Sequence, residues 1–159
     1  MAHLEVERKF LVKSNDYKRD AVTKTRIVQG FLNTHPERTV RVRLKGEKGF
    51  LTVKGKGNDT GTTRFEWETE LSSVEATNLI ELCEPIILEK IRFEVPFGKH
   101  SYEVDEFFRE NKGLVVAEIE LKHEDEFFER PEWLGEEVTG DIKYYNSQLS
   151  IKPYNQWKD

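Results

Sequence analysis

The sequence predicts an α+β protein in which mostly antiparallel strands, joined by short turns, curl into a barrel or a strongly bent sheet with a few helices packed on it. Three observations carry this. Apolar and charged residues alternate with period two along most of the chain, the mark of half-buried strands. The strands do not alternate regularly with helical segments, as a parallel sheet would require. Ten Phe, five Tyr and three Trp are spread along the length, too many aromatics for a disordered chain even though 35% of the residues are charged.

The first strand runs from Leu4 to Phe10, with Glu5, Glu7 and Lys9 on one face, Leu4, Val6 and Phe10 on the other, and Arg8 as the exception. A helix is expected over Asn15 to Thr25. TVRVRLK then sets Arg41, Arg43 and Lys45 against Val40, Val42 and Leu44, Gly46 to Gly49 read as a hairpin loop, and FLTVKGK carries Lys54 and Lys56. Beyond the loop GNDTGTT, RFEWETEL opposes Arg64, Glu66, Glu68 and Glu70 to Phe65, Trp67 and Leu71. Ser72-Ser73-Val74-Glu75 is a capping box before a short amphipathic helix that the Glu84-Pro85 step should end. LEKIRFEV offers Lys90, Arg92 and Glu94 against Ile91, Phe93 and Val95, SYEVDEF offers Glu103 and Asp105, and VVAEIELK offers Glu118, Glu120 and Lys122. A weaker helix is expected after Asp141, through Tyr144, Tyr145 and Leu149. No repeat, low-complexity tract or Pro/Gly/Ser-rich linker interrupts the chain, so residues 1–159 read as one domain.

The 159 residues carry 25 Lys and Arg against 30 Asp and Glu, a net charge of −5. A net acidic chain is a poor general nucleic-acid binder, because non-specific affinity comes from cations that displace phosphate counterions. Neither a signal-peptide core nor an apolar run of membrane-spanning length is present, so a cytoplasmic protein without a membrane is expected. Cys83, the single cysteine, lies in LIELC and reads as a small buried hydrophobe.

The ordinary reading of the alternation is a sheet with its charged face in water. The charges, however, are sorted by strand: acidic pairs at Glu5/Glu7, Glu66/Glu68 and Glu118/Glu120, basic pairs at Arg41/Arg43 and Lys90/Arg92. Carboxylates two apart on a strand stand about 7 Å from each other and repel, a cost that a cation would remove. Inside a closed barrel, such sorted charges would form a site for a highly charged anion and its metal. Periodicity alone does not say which face points inward.

EVERK at Glu5 to Lys9 resembles the ExExK motif of the CYTH superfamily, the triphosphate tunnel metalloenzymes. Further pieces follow in order: QGFL, PERTVRVRLKG, LTVKGKG, RFEWE, EKIR, YEVDEF, GLVVAEIEL, PEWLGEEVTGD and YYN through Asn146. The resemblance covers nearly the whole chain and is greatest to small bacterial members, several of them inorganic tripolyphosphatases. It implies a closed eight-stranded antiparallel β-barrel, a tunnel with a charged lumen and helices outside. Residue by residue, it implies that Lys9, Arg41, Arg43, Lys54, Lys90 and Arg92 grip the phosphoryl oxygens, and that Glu5, Glu7, Asp105, Glu118 and Glu120 hold the metal, with Glu66 and Glu68 on the wall nearby. Phe31 departs from the pattern, standing where those members commonly carry tyrosine.

The residue types suit the chemistry. A triphosphate carries about four or five negative charges, and its transfer is accelerated by positioning and charge neutralisation. Hard oxygen ligands point to Mg²⁺ or Mn²⁺, and His3, His35, His100 and His123 stand in no zinc-binding spacing. Lys90 is the candidate for orienting or deprotonating the attacking water, with Lys9 beside it among the catalytic residues. The expected activity is metal-dependent hydrolysis of inorganic tripolyphosphate or related triphosphates. The alternatives are a class IV adenylyl cyclase, a thiamine triphosphatase, and a non-catalytic binder of polyphosphate or nucleotides. The expected partner is the small-molecule triphosphate, with a homodimer as the candidate assembly. Gly135 to Gly140 has P-loop glycine spacing, but Asp141 stands where the lysine must be, and the sequon Asn58-Asp59-Thr60 is taken as chance.

Overall fold

A computed structural model describes residues 4–157, so His3 lies outside the described residues. Among the described residues nine strands form one antiparallel sheet: β1 (Leu4–Val12), β2 (Thr23–Asn33), β3 (Arg38–Lys45), β4 (Lys48–Gly57), β5 (Thr63–Leu71), β6 (Leu88–Phe97), β7 (His100–Phe107), β8 (Val115–Glu120) and β9 (Leu134–Glu137). Their order is β5-β4-β3-β2-β6-β7-β8-β1-β9, and a further β5–β1 pairing closes the first eight into a barrel. The closing seam is short, with Leu4, Glu5 and Val6 opposite Phe65, Arg64 and Thr63. Beyond it the free edge of β1 is covered by β9, through Phe10 opposite Glu137 and Val12 opposite Leu134.

Three short α-helices accompany the barrel: α1 (Tyr17–Asp20), α2 (Ser73–Ile80) and α3 (Asn146–Leu149). The expected helix over Asn15 to Thr25 is cut to four residues, and the chain from Thr23 is strand instead. Val22, Thr23, Thr25, Ile27 and Val28 are β-branched, which disfavours helix, and β2 lies between β3 and β6 with a full ladder on each side. The capping box of α2 forms as expected: the Ser72 hydroxyl accepts from the Glu75 amide and the Glu75 carboxylate from the Ser72 amide. This helix stops at Ile80, short of the Glu84-Pro85 step, in a turn closed by Leu82 and Cys83 amides. Cys83 is half-buried rather than fully so, and its thiol, pushed up to about 11 by burial, donates to the Leu79 carbonyl. The helix after Asp141 is broken: a 3-10 turn spans Ile142–Tyr144 under the Asp141 side chain, Tyr145 is extended, and α3 follows.

The β3–β4 hairpin is tighter than its sequence reads, with Gly46 and Glu47 alone in the turn and Lys45 opposite Lys48. Gly46 takes φ +62, which glycine adopts without strain. Two strand residues later the constraint is close approach, because a Cβ on Gly49 would stand 2.6 Å from the Cβ of Ala76 and 2.9 Å from the Ser72 carbonyl. That contact seats α2 on the barrel wall.

Residues directly opposite in an antiparallel pair share a face, and the registers place one face of every barrel strand around a common lumen. The outer apolar face of β1, β6, β7 and β8 is covered by Tyr17 of α1 and by Phe128 and Trp133, building one core with Phe10, Phe93, Tyr102 and Ile119. Arg8, the exception to the alternation, lies outside, bonded to Glu137 and stacked 4.9 Å over Phe128. The second core lies within the barrel. Leu11, Leu88, Phe107 and Val116 stand two residues beyond Lys9, Lys90, Asp105 and Glu118 on the same inward faces, and pack with Phe31, Tyr144 and Leu149. One end of the barrel is therefore filled by apolar side chains and the C-terminal segment, and the charged part of the lumen lies above this plug.

Substituting Gly49→Ala should lower stability by about 1–3 kcal/mol, since the new methyl meets the Ala76 Cβ and the Ser72 and Leu71 carbonyls rather than the far end of a flexible side chain. The midpoint of urea unfolding measures it, and an unchanged midpoint would show that α2 does not need this close seat.

Candidate active site

The lumen holds a cavity of about 230 Å³ lined mostly by charged side chains. Each sorted pair of the sequence faces into it: Glu5, Glu7 and Lys9 from β1, Arg41 and Arg43 from β3, Lys54 from β4, Glu66 and Glu68 from β5, Lys90 and Arg92 from β6, Glu118 and Glu120 from β8. Phe31 is also in the lining and belongs to the apolar plug as well. Of the predicted site residues only Asp105 is absent from the cavity wall.

Asp105 lies beneath the wall, 2% exposed, with both oxygens engaged. Its Oδ1 and Oδ2 accept from Arg92 Nε at 2.8 Å and Nη2 at 2.9 Å, and Lys90 Nζ stands 2.7 Å from Oδ2. Burial alone would raise its pKa, but Arg92 and Lys90 hold the carboxyl below the usual range. Burial pushes the Lys90 ammonium down to about 8, against the attraction of Asp105, with Arg92 as a further depressing charge.

Around this buried group the signs separate. On one side Arg41 and Arg43 stand 3.6 and 3.5 Å from Glu68, and Lys54 bridges Glu5 at 2.8 Å and Glu66 at 3.6 Å. Burial, with Arg43 and Arg92 nearby, pushes the Arg41 guanidinium down to about 10. Three guanidinium groups keep buried N–H donors without a partner: Arg41 Nε, Arg43 Nε and Arg64 Nη1. On the other side four carboxylates sit on the paired strands β1 and β8, with Glu7 directly opposite Glu120 and Lys9 opposite Glu118. Burial and the charges of Glu118 and Glu5 push the Glu7 carboxyl up to about 8. Glu120 is also raised, by burial and by Glu5 and Glu103. Glu118 is held well below its ordinary value, since Lys9, Arg92 and Lys90 outweigh the effect of its burial.

The chemistry of this acidic cluster suits a divalent metal, although among the described residues no three acidic, histidine or cysteine side chains are gathered closely enough to form a ready ligand set. Like charges opposite each other across a ladder destabilise a sheet, and the donors are hard carboxylate oxygens of the type that Mg²⁺ and Mn²⁺ prefer. Glu5, Glu7, Glu118 and Glu120 would hold such an ion, and the proton that burial leaves on Glu7 is what it would displace. Asp105, which the resemblance places with them, stands apart in this arrangement, both its oxygens meeting Arg92 and Lys90.

Several lining residues lie outside the sequence-derived set. Arg64 was legible, sharing the alternating face of Glu66 and Glu68, and its guanidinium lies 5.0 Å over the Tyr145 ring. Tyr145, Asn146 and Ser147 carry no period-two signal and enter the cavity only because the C-terminal segment folds back into the barrel. Lys9 Nζ lies 5.1 Å from the Tyr145 ring centroid.

Comparison with known proteins agrees with this geometry. A family model described as CYTH domain matches residues 3–149. The chain is 44% identical to an inorganic triphosphatase of Acetivibrio thermocellus over 157 residues, 98% of each chain. It is 34% identical to an inorganic triphosphatase of Nitrosomonas europaea, covering 92% of this chain and 97% of the relative. A crystal structure of the inorganic triphosphatase NE1496 superposes with a TM-score of 0.66 at 30% identity, over 92% of this chain and 97% of that one. With its charged faces turned into one lumen and the family's pattern matched over residues 3–149, the chain belongs to the CYTH domain family.

Proposed function

We propose that this protein is a metal-dependent inorganic triphosphatase that hydrolyses tripolyphosphate inside the barrel, using Mg²⁺ or Mn²⁺. The observation that carries the reading is the set of buried guanidinium donors without partners on Arg41, Arg43 and Arg64. A guanidinium cannot shed its proton, so buried N–H groups of this kind require acceptors. The phosphoryl oxygens of a linear polyanion supply them and offset the burial, and with it the repulsion from Arg43 and Arg92, that depresses Arg41.

In this reading Arg41, Arg43, Lys54 and Arg92 bind the phosphate chain, with Arg64 added to the grip, while Glu66 and Glu68 hold the arginines and Lys54 at their stations. A metal bound by Glu5, Glu7, Glu118 and Glu120 would neutralise phosphoryl charge and acidify a coordinated water. Lys90 orients the attacking water and exchanges a proton with it, its pKa of about 8 leaving both protonation states populated near neutral pH. Lys9, 3.6 Å from Glu118, stands between the acidic cluster and the chain. As the water oxygen bonds to the terminal phosphorus, the bridging P–O bond breaks and its electron pair leaves on pyrophosphate, where the arginines stabilise the growing charge. Asp105 serves as the counter-ion that fixes Lys90 and Arg92. The setting we infer is the cytoplasm, with a homodimer as the candidate assembly. Cys83 is a free thiol, and no helix among the described residues is long and apolar enough to cross a membrane.

Phosphate release measured side by side on tripolyphosphate, ATP, thiamine triphosphate and pyrophosphate should favour tripolyphosphate and vanish on chelation, with no cyclic AMP formed from ATP. Arg41→Ala should lower kcat/KM by about a hundredfold, the loss of roughly 2–4 kcal/mol of charge-assisted contact. Cyclic AMP as the main product, or tight triphosphate binding without turnover, would overturn the reading.

Metal affinity should rise as pH rises through about 8, because Glu7 must lose its proton when the metal binds. The metal-free protein should correspondingly lose stability as pH climbs from the ordinary carboxylate range toward 8, since the unfolded chain ionises Glu7 there and the folded one does not. Calorimetric titration with Mn²⁺ across that range, repeated on Glu7→Gln, checks both the slope and its source. A pH-independent affinity would remove Glu7 from the metal set.

A further inference from the structure

Lys90 is held from two sides. Asp105 Oδ2 lies 2.7 Å from its Nζ, and on the other side the ammonium donates to Asn146 Oδ1 at 2.9 Å, across 56 residues of sequence. An ammonium only donates, so the Asn146 atom that meets it must be the amide oxygen. Gln29 lies behind it, its Nε2 donating to the same Oδ1 at 2.6 Å. Gln29 is fully buried on β2, and its own Oε1 is left buried without a partner. An orphaned acceptor is costly, and turning the Gln29 amide to relieve it would bring oxygen against oxygen at Asn146. Lys90 thus dictates the orientation of Asn146, and Asn146 that of Gln29.

Two of the three N–H bonds of Lys90 are taken up in this way. The third is left for the cavity that Lys90 and Asn146 both line. The ring of Phe107, 5.4 Å from Nζ, backs the group from the apolar plug. Asn146 begins α3, and its place depends on the C-terminal segment, whose Tyr144 and Leu149 are buried in the barrel end.

We propose that Asn146 is a positioning residue for Lys90: with Gln29 behind it, it aims the remaining N–H of the ammonium into the lumen and makes turnover depend on the docked C-terminal segment. The inference rests on the reading of the lumen as the triphosphate site. An aligned donor matters most where charge develops, so its loss falls on kcat rather than on substrate binding.

The test is Asn146→Ala assayed on tripolyphosphate with Mn²⁺. The expected result is a kcat lowered about tenfold or more with KM within about threefold. Asn146→Asp, which keeps an oxygen facing Lys90, should recover part of the loss, and Gln29→Met, which removes the second donor holding the Asn146 oxygen in place, should shift kcat in the same direction by less. These two variants carry the comparison if Asn146→Ala does not fold. A kcat within twofold of the parent in Asn146→Ala, or a rise in KM at constant kcat, would overturn the proposal, the latter by making Asn146 a substrate contact. A readout without substrate separates this outcome from a failure of the triphosphatase reading. In protein labelled with ¹⁵N-lysine, the hydrogen-bonded Lys90 ammonium should give a slowly exchanging signal that is lost in Asn146→Ala, and an unchanged signal would overturn the proposal whatever the substrate.

Discussion

The rest of the site depends on a buried ion group of two cations and one carboxylate. Lys90, Arg92 and Asp105 are 1%, 9% and 2% exposed, and Asp105 spends both oxygens on its neighbours. Burying charge is costly unless geometry and hydrogen bonding are complete, and here the Arg92 pair is bidentate. Remove the carboxylate and two adjacent cations would face each other out of water. With it in place, β6 can carry lysine and arginine on an inward face, and the carboxylates of β1 and β8 can stand across from them. The lumen is a region of separated, partly unpaired charge built upon this compensated one.

That separation gives the cavity its chemistry. Cations on β3 and β5 have surplus N–H groups, while burial and the neighbouring carboxylates on β1 and β8 favour a proton on Glu7. The two sides neutralise each other only in part, through Lys54 on Glu5 and through Lys9 and Arg92 on Glu118, because the strands keep the remaining groups at fixed stations around the barrel. A polyanion answers the first surplus and a divalent cation the second, so substrate and metal complete a charge balance that the chain leaves open. The apolar plug of Leu11, Leu88, Phe107, Val116 and Leu149 confines this open balance to one part of the tunnel.

Much of this was legible in the sequence, for a physical reason. Period-two alternation fixes which residues share a face, so Glu5/Glu7, Arg41/Arg43, Lys90/Arg92 and Glu118/Glu120 could be grouped before any fold was known. Which face pointed inward depended on closure by the short β5–β1 seam, a contact between residues some 60 apart that no local pattern encodes; the family resemblance supplied it. β2 was misread in part as helix because its outward face carries Lys24 and Arg26, so no clean alternation marks it. Asp105 looked like one more acidic lumen residue, and only the three-dimensional packing shows its oxygens committed to Arg92 and Lys90. Asn146 was invisible as a site residue, since its role comes from the path of the C-terminal segment rather than from its neighbours in sequence.

The most direct test of the central claim is a crystal structure with tripolyphosphate and Mn²⁺, read by the anomalous signal of the metal. The account predicts a manganese peak against Glu5, Glu7, Glu118 and Glu120, with the phosphate chain running from it toward Arg41 and Arg43 and the Asp105–Arg92 pair intact. A metal bound by Asp105 with Arg92 displaced, or a phosphate chain held outside the lumen, would contradict it.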